Sequence, residues 1–100
     1  MSQRSLFKFR LYVAGDALNS AQALDNLFAL CRIHLPKRHE IEVIDVFREP
    51  KLALAAGVLM TPTLLKLSPS PTRRIVGTLS QAQPLLQALG LPEGGSHEAK

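Results

Sequence analysis

Hydrophobic and polar residues alternate along residues 6–13, a pattern typical of a β-strand. One face of this strand is apolar throughout and consists of Phe7, Phe9, Leu11 and Val13. A second strand is predicted at residues 41–47, where β-branched residues are dense. Because a helix-length segment separates the two strands, we expect them to pair in parallel through a right-handed crossover.

The segment between these strands has the spacing of an amphipathic helix. Its apolar positions are Leu24, Leu27, Phe28, Cys31 and Leu35. Asn19 or Ser20 is expected to cap the start of the helix, since a side-chain oxygen there accepts a hydrogen bond from an otherwise unpaired backbone N–H. Pro36 is expected to end the helix.

A second helix and two short strands are predicted in the following part of the chain. Residues 50–59 are rich in alanine and leucine, Pro50 suits the first turn of a helix, and Gly57 is a plausible stop. Residues 63–67 and 73–78 favour strands. The prolines between these two segments exclude a helix across them.

The last helix is predicted to begin at Ser80 or Pro84 and to stop at Gly90. The order of elements is therefore strand, helix, strand, helix, strand, strand, helix (βαβαββα). This order predicts a four-stranded mixed sheet with helices on both faces, which is an α/β domain of thioredoxin-like fold. We expect the domain to span residues 1–91 and a flexible polar tail to follow at residues 92–100.

The composition predicts a folded cytoplasmic domain. Hydrophobic residues make up 46% of the chain and charged residues 20%, which is too apolar for a disordered chain. The net charge of +4 favours acidic partners, but the dense basic and aromatic clusters of nucleic-acid-binding proteins are absent from the sequence. A single cysteine excludes an internal disulfide and fits a reducing compartment. We find neither a signal peptide nor a membrane-spanning segment in the sequence.

No arrangement of residues in the sequence is typical of a catalytic or metal site. The predicted loop at residues 15–20 lacks the cysteine that redox-active thioredoxin-like proteins carry there. Cys31 lies on the apolar stripe of the first helix, which predicts a packed core thiol. His34, His39 and His97 have no ligand-like spacing, so we expect no metal and no cofactor.

The Thr61-Pro62 bond is a candidate for a cis peptide, as in the equivalent loop of thioredoxin-like proteins. In glutathione-using relatives this loop binds the tripeptide backbone. Because the chain has no activating cysteine nearby, we expect a rigid turn here instead of glutathione chemistry.

Positive charges are the most suggestive surface feature of the sequence. They are Lys8 and Arg10 on the first strand, Lys66 on the third, and Arg73 and Arg74 on the fourth. We predict that these residues converge along one edge of the sheet. A solvated basic rim and a docking site for an acidic partner both fit the pattern. Arginine suits docking because its planar fork pairs at two points with a carboxylate.

Five motifs in the sequence resemble the KaiB family of circadian-clock proteins over about residues 6–91. They are Leu11-Tyr-Val-Ala-Gly15, Asn19-Ser20, Val43-Ile-Asp-Val46, Thr61-Pro-Thr-Leu64 and Arg73-Arg-Ile-Val-Gly77. The resemblance implies a regulatory protein, not an enzyme, that binds the KaiC ATPase ring and helps to reverse its phosphorylation cycle. It also implies contacts with KaiA or with sensor histidine kinases.

The resemblance implies two folds: a monomeric thioredoxin-like form that binds KaiC, and a homotetrameric resting form of order βαββααβ. Phe7 stands where the family has a tyrosine, and Thr78 stands where an aspartate follows the glycine equivalent to Gly77. We treat these three residues and Pro62 as fold-determining. The local preferences of the C-terminal half agree with the thioredoxin-like form, so we expect a monomer in that form.

The sequence therefore predicts a KaiB-like regulatory module that docks on a KaiC-type ATPase through its basic residues. One alternative is a divergent paralogue that acts on a sensor histidine kinase without an oscillator. The other is a glutathione-dependent redox protein.

Overall fold

The computed structural model describes residues 5–91 and contains the predicted elements in the predicted order. The strands are β1 (Phe7–Val13), β2 (His39–Asp45), β3 (Thr63–Ser68) and β4 (Arg73–Val76). The helices are α1 (Leu18–His34), α2 (Pro50–Ala55) and α3 (Ala82–Leu89). The predicted polar tail, residues 92–100, lies outside the described residues.

The four strands form one mixed sheet in the order β2-β1-β3-β4. β1 pairs in parallel with β2 and antiparallel with β3, and β3 forms an antiparallel hairpin with β4. The parallel pair follows from the α1 crossover, which returns the chain to the same end of the sheet. β2 and β4 are therefore the two edges, and the βαβαββα order of a thioredoxin-like α/β fold is confirmed.

Apolar residues on both faces of the sheet bury the central strands. The larger cluster joins β1 and β3 to α1 and α3, and includes Phe9, Leu11, Leu27, Cys31, Leu64, Leu86 and Leu89. A smaller cluster on the opposite face consists of Tyr12, Ile44, Ala53 and Leu65, under α2. Because full burial of one such large side chain stabilises a protein by about 1.5–3 kcal/mol, the larger cluster dominates the stability of the domain.

Helix α1 begins earlier than predicted. Ala17 occupies the N-cap position and makes no side-chain cap, and its N–H donates to the Ala14 carbonyl over 3.1 Å. Ser20 lies inside the helix and is buried, where its Oγ accepts a hydrogen bond from the Ala14 N–H at 3.1 Å. The prediction that Asn19 or Ser20 caps the helix is wrong, because the turn at residues 14–17 starts the helix two residues upstream.

The loops at residues 56–62 and 77–81 lie at one end of the sheet. The Thr61-Pro62 bond is cis, as the sequence suggested, and the Ser68-Pro69 and Ser70-Pro71 bonds are cis as well. Gly77 has a φ of 122°, and its N–H donates to the Pro62 carbonyl at 3.0 Å. This hydrogen bond joins the two loops directly beyond the β3-β4 pair.

Candidate partner-binding surface

The sheet places the five predicted docking residues on two opposite faces. Lys8, Arg10 and Arg74 lie on the face that packs under α2, whereas Lys66 and Arg73 lie on the face covered by α1 and α3. Lys8 and Arg10 also belong to β1, which is a central strand and not an edge. The prediction that all five converge along one edge is therefore wrong.

Lys66 is enclosed by the fold and is only 3% exposed. Its Nζ donates to the Leu89 carbonyl at the end of α3 over 3.4 Å and lies 5.7 Å from the centroid of the Phe7 ring. Burial lowers the pKa of Lys66, and the nearby charge of Arg73 lowers it further. Lys66 thus ties α3 to β3, and its predicted contact with a partner is wrong in this fold.

Arg10 is already paired within the sheet. Its Nε donates to Glu42 Oε1 at 2.8 Å across the β1-β2 ladder. A side-chain hydrogen bond with Tyr12 and the bond to Glu42 raise the pKa of Arg10. Since both Arg10 and Glu42 are partly exposed, the pair contributes only about 0.2–1 kcal/mol of stability.

Arg74 is exposed but engaged with helix α2. Its guanidinium donates to the carbonyls of Ala56 and Gly57, directly after the last helical residue. A positive charge at this position satisfies free carbonyls and interacts favourably with the C-terminal end of a helix. Replacing Arg74 would therefore disturb α2 as well as any partner contact.

Lys8 and Arg73 are the exposed members of the predicted set whose side chains make neither a hydrogen bond nor an ion pair within residues 5–91. Arg73 begins β4 and so lies on an edge of the sheet. Of the predicted residues, Arg73 has the position best suited to an intermolecular contact.

The predicted fold-determining residues lie at both ends of the sheet. Phe7 is buried between two positive charges. The centroid of its ring is 5.8 Å from the guanidinium carbon of Arg38 and 5.7 Å from Lys66 Nζ. Thr78 accepts a hydrogen bond at its carbonyl from Asn26 Nδ2 at 2.8 Å. Sequence reasoning missed Asn26 and Arg38, because neither belongs to a motif and both act on residues distant in the chain.

The cysteine and two of the histidines lie within the described residues, where their surroundings can be stated. Cys31 is fully buried, and this burial raises the pKa of its thiol to about 12. His39 Nδ1 lies 2.7 Å from the Leu35 carbonyl. Within residues 5–91 no three side chains of histidine, cysteine, aspartate or glutamate are grouped to hold a metal, and His97 lies outside this range. In the same range no helix is long and apolar enough to cross a membrane.

The sequence analysis also missed several exposed apolar side chains in the part of the chain between β2 and β3. Phe47, Leu54, Leu59 and Met60 are all exposed, and Leu59 reaches 91% exposure. The sequence alone did not show that these apolar side chains are exposed.

A family model described as the KaiB domain matches residues 10–91. The chain belongs to the KaiB family. KaiB of Synechococcus elongatus is 40% identical over 94 residues, covering 94% of this chain and 92% of its own length. KaiB3 of Synechocystis is 37% identical over 86 residues, covering 85% and 84%. Both relatives are named as circadian clock proteins, as the sequence resemblance implied.

Two solved structures share the fold at lower identity. The N-terminal domain of Synechococcus elongatus SasA has a TM-score of 0.69 and 22% identity, covering 94% of this chain and 92% of its own. Chloroplastic thioredoxin z has a TM-score of 0.70 and 20% identity, covering 87% and 79%. The likeness confirms the thioredoxin-like fold and says nothing about partners.

Proposed function

We propose that this chain is a non-catalytic regulatory module that docks on a KaiC-type ATPase and modulates its phosphorylation cycle. The observation that carries the proposal is family membership over most of the chain, with about 40% identity to circadian clock proteins. The proposed setting is the cytoplasm. KaiA-like proteins and sensor histidine kinases are the further partners that the family relationship supports.

The environment of the one cysteine supports a role in binding and not in redox catalysis. A reactive thiol is exposed and ionised near neutral pH, whereas the Cys31 thiol is buried with a raised pKa. The loop after β1, where thioredoxin-like enzymes carry their cysteine, contains Gly15 and Asp16 instead. Activity in insulin reduction or glutathione conjugation would favour the enzyme alternative.

We assign the docking contact to the edge of the sheet that carries Arg73. This arginine is exposed and has no competing carboxylate among the described residues, so its fork is open to an acidic group on the ATPase. Lys8 is a second exposed candidate on the opposite face. Arg10 and Arg74 would have to give up internal contacts in order to bind a partner.

The test is binding to a purified KaiC-type ATPase, for which the KaiC of Synechococcus elongatus is a suitable probe. Arg73→Glu is expected to weaken binding about tenfold or more, because charge reversal replaces attraction by repulsion. Arg48→Glu is the matched control. Arg48 is exposed in the turn after β2, and its substitution changes the net charge by the same amount.

The outcomes separate the function from the docking residue. If the wild type does not bind the ATPase but binds a sensor histidine kinase, the proposed partner is wrong. If the wild type and both variants bind equally, the ATPase assignment stands and the role of Arg73 is excluded.

A further inference from the structure

β4 is an edge strand whose outward backbone groups can be assigned from the hairpin. Thr63 is paired with Val76, and the Gly77 N–H donates to the Pro62 carbonyl. Hydrogen-bonded pairs alternate along an antiparallel ladder, so Ile75 and Arg73 point their backbone groups toward β3. The N–H and C=O groups of Arg74 and Val76 consequently point away from the sheet, where an added strand would pair.

An apolar groove runs beside this edge, on the face that carries Ile75. Its volume is about 420 Å³, and its apolar walls are formed by Ile75, Leu79, Pro84, Leu85 and Ala88. Val76 and the polar residues Thr78, Ser80 and Gln81 complete the lining. This volume falls within the range of about 300–1,000 Å³ that small binding pockets occupy. A side chain from an added strand that points to the same face as Ile75 would enter the groove.

The charges at the two edges of the sheet have opposite signs. β4 carries Arg73 and Arg74, whereas the β2 edge exposes Glu40 and Glu42. An acidic segment is therefore attracted to β4 and repelled by β2.

A second copy of the chain fits the β4 edge poorly. Antiparallel pairing of β4 with itself would bring four arginines together. Contact of β4 with β2 of another copy would leave both ends open and produce filaments.

We propose that the edge of β4 and the groove beside α3 bind an extended acidic segment of a partner protein, which adds as a fifth strand. Side chains two residues apart lie on the same face of a strand. The segment therefore carries an acidic residue opposite Arg73 and, two positions away, an apolar residue opposite Ile75. Backbone pairing with Arg74 and Val76 supplies the affinity, and the acidic and apolar side chains supply the specificity.

This inference goes beyond the proposed function, since it concerns an acidic strand and not the ATPase as a whole. The probe is a short synthetic peptide with threonine on one face and alternating glutamate and valine on the other. The control peptide has the same composition but places glutamate and valine on opposite faces. Binding is measured from amide chemical shifts in the full chain, and we expect the largest changes at Arg74 and Val76.

Two proline variants test which edge pairs with the peptide. Val76→Pro removes an outward N–H, a change that edge strands tolerate, and is expected to weaken binding about tenfold or more. Val43→Pro is the matched control on β2. The Val46 N–H donates to Val13, so the parallel ladder leaves the Val43 N–H pointing outward too. If Val43→Pro weakens peptide binding and Val76→Pro does not, the proposal is overturned.

A charge exchange provides a test that does not depend on proline. Arg73→Glu is expected to weaken binding of the glutamate peptide about tenfold. The variant is also expected to bind a peptide with lysine in place of glutamate more tightly than the wild-type protein does. Equal binding of the probe peptide and the control peptide would also overturn the inference. So would chemical-shift changes that occur without peptide and show that the chain associates with itself. Failure of ATPase binding would leave it intact, because the peptide assay contains no ATPase.

Discussion

Positively charged side chains of similar chemistry have different environments in this domain. Lys66 is enclosed beneath α3, Arg10 is paired with Glu42, Arg74 contacts the carbonyls after α2, and Arg73 faces solvent on an edge strand. Only the last arrangement leaves the charge and its hydrogen-bond donors open to another molecule. The sum of the charges is thus a poor guide to the binding surface.

Lys66→Met tests whether the buried ammonium stabilises the fold. We expect the free energy of unfolding near neutral pH to stay the same or to rise, because methionine keeps the packed stem and removes the cost of burying a charge. A loss above about 1.5 kcal/mol in urea titrations would show that the bond to Leu89 and the contact with Phe7 outweigh that cost.

The effect of Lys66→Met should depend on pH with a definite sign. Folding lowers the pKa of Lys66, so the unfolded chain binds more protons as the pH approaches the ordinary lysine value. The free energy of unfolding of the wild type therefore rises as the pH approaches the ordinary lysine pKa. The stability advantage of the Lys66→Met variant shrinks over the same pH range. Urea titrations at about pH 7 and about pH 9.5 would measure the change.

Cys31 is expected to resist thiol reagents in the native protein. Its pKa of about 12 leaves the thiol neutral near pH 8, and its burial blocks access. Labelling should accelerate by more than about tenfold when the chain is unfolded in denaturant. Because the unfolded chain loses the thiol proton at a lower pH than the folded chain, the free energy of unfolding falls as the pH rises from the ordinary thiol pKa toward 12. Fast native labelling would contradict the packed position.

At the scale of secondary-structure elements, periodicity in the sequence predicted the kind and order of elements, and glycines predicted where α2 and α3 stop. The alternation of β1 and the helical spacing of α1 come from one buried face each, which is a local signal. The predicted stop of α2 at Gly57 is confirmed: the helix ends at Ala55, Gly57 adopts a φ of 70°, and the Val58 N–H returns to the Ala53 carbonyl. The start of α1 could not be predicted in this way, because it depends on the backbone turn at residues 14–17.

The faces of β3 and the position of β4 could not be predicted from the sequence. Residues 63–66 are all buried, because β3 is a central strand with a cluster on each face. A strand of this kind shows no alternation, so nothing local assigns Lys66 to the α3 side. The groove beside β4 likewise depends on how α3 packs, which is a long-range property.

Gly77→Ala probes the loop between β4 and α3. A Cβ placed on Gly77 meets no atom within 4 Å, so the cost comes from the φ of 122° alone. We expect a loss of about 1–3 kcal/mol in the free energy of unfolding. Gly90→Asn is the control, because its φ of 77° lies in the left-handed region that asparagine tolerates. An equal effect of both changes would contradict this account.

For the whole molecule, a single ladder joins the two halves of the sheet. β1 and β2 with α1 form one half, β3 and β4 with α3 form the other, and the β1-β3 pairing connects them. The Asn26 side chain adds a bond from α1 to the carbonyl of Thr78 in the second half. A rearrangement of the C-terminal half that changes β3 must therefore break the β1-β3 pairing or rebuild it.

We expect the thioredoxin-like form to predominate in solution as a monomer of 10.9 kDa. Backbone chemical shifts should indicate strand at residues 63–68 and helix at 82–89, in agreement with the local preferences of these segments. Sedimentation would measure the mass. Helix at 63–70 and strand near 85–90 in a fourfold larger particle would mean that the alternative KaiB fold predominates.

The enclosure of the Lys66 amine gives the fold a chemical signature. A water-soluble acetylating reagent adds to amines that solvent reaches, so exposed Lys8, Lys37 and Lys51 are modified quickly and Lys66 slowly. In an arrangement that withdraws α3 from β3, Leu89 no longer covers the amine, and Lys66 is acetylated as fast as the others. The order in which these lysines gain acetyl groups, followed by mass spectrometry, therefore reports on the arrangement of the C-terminal half.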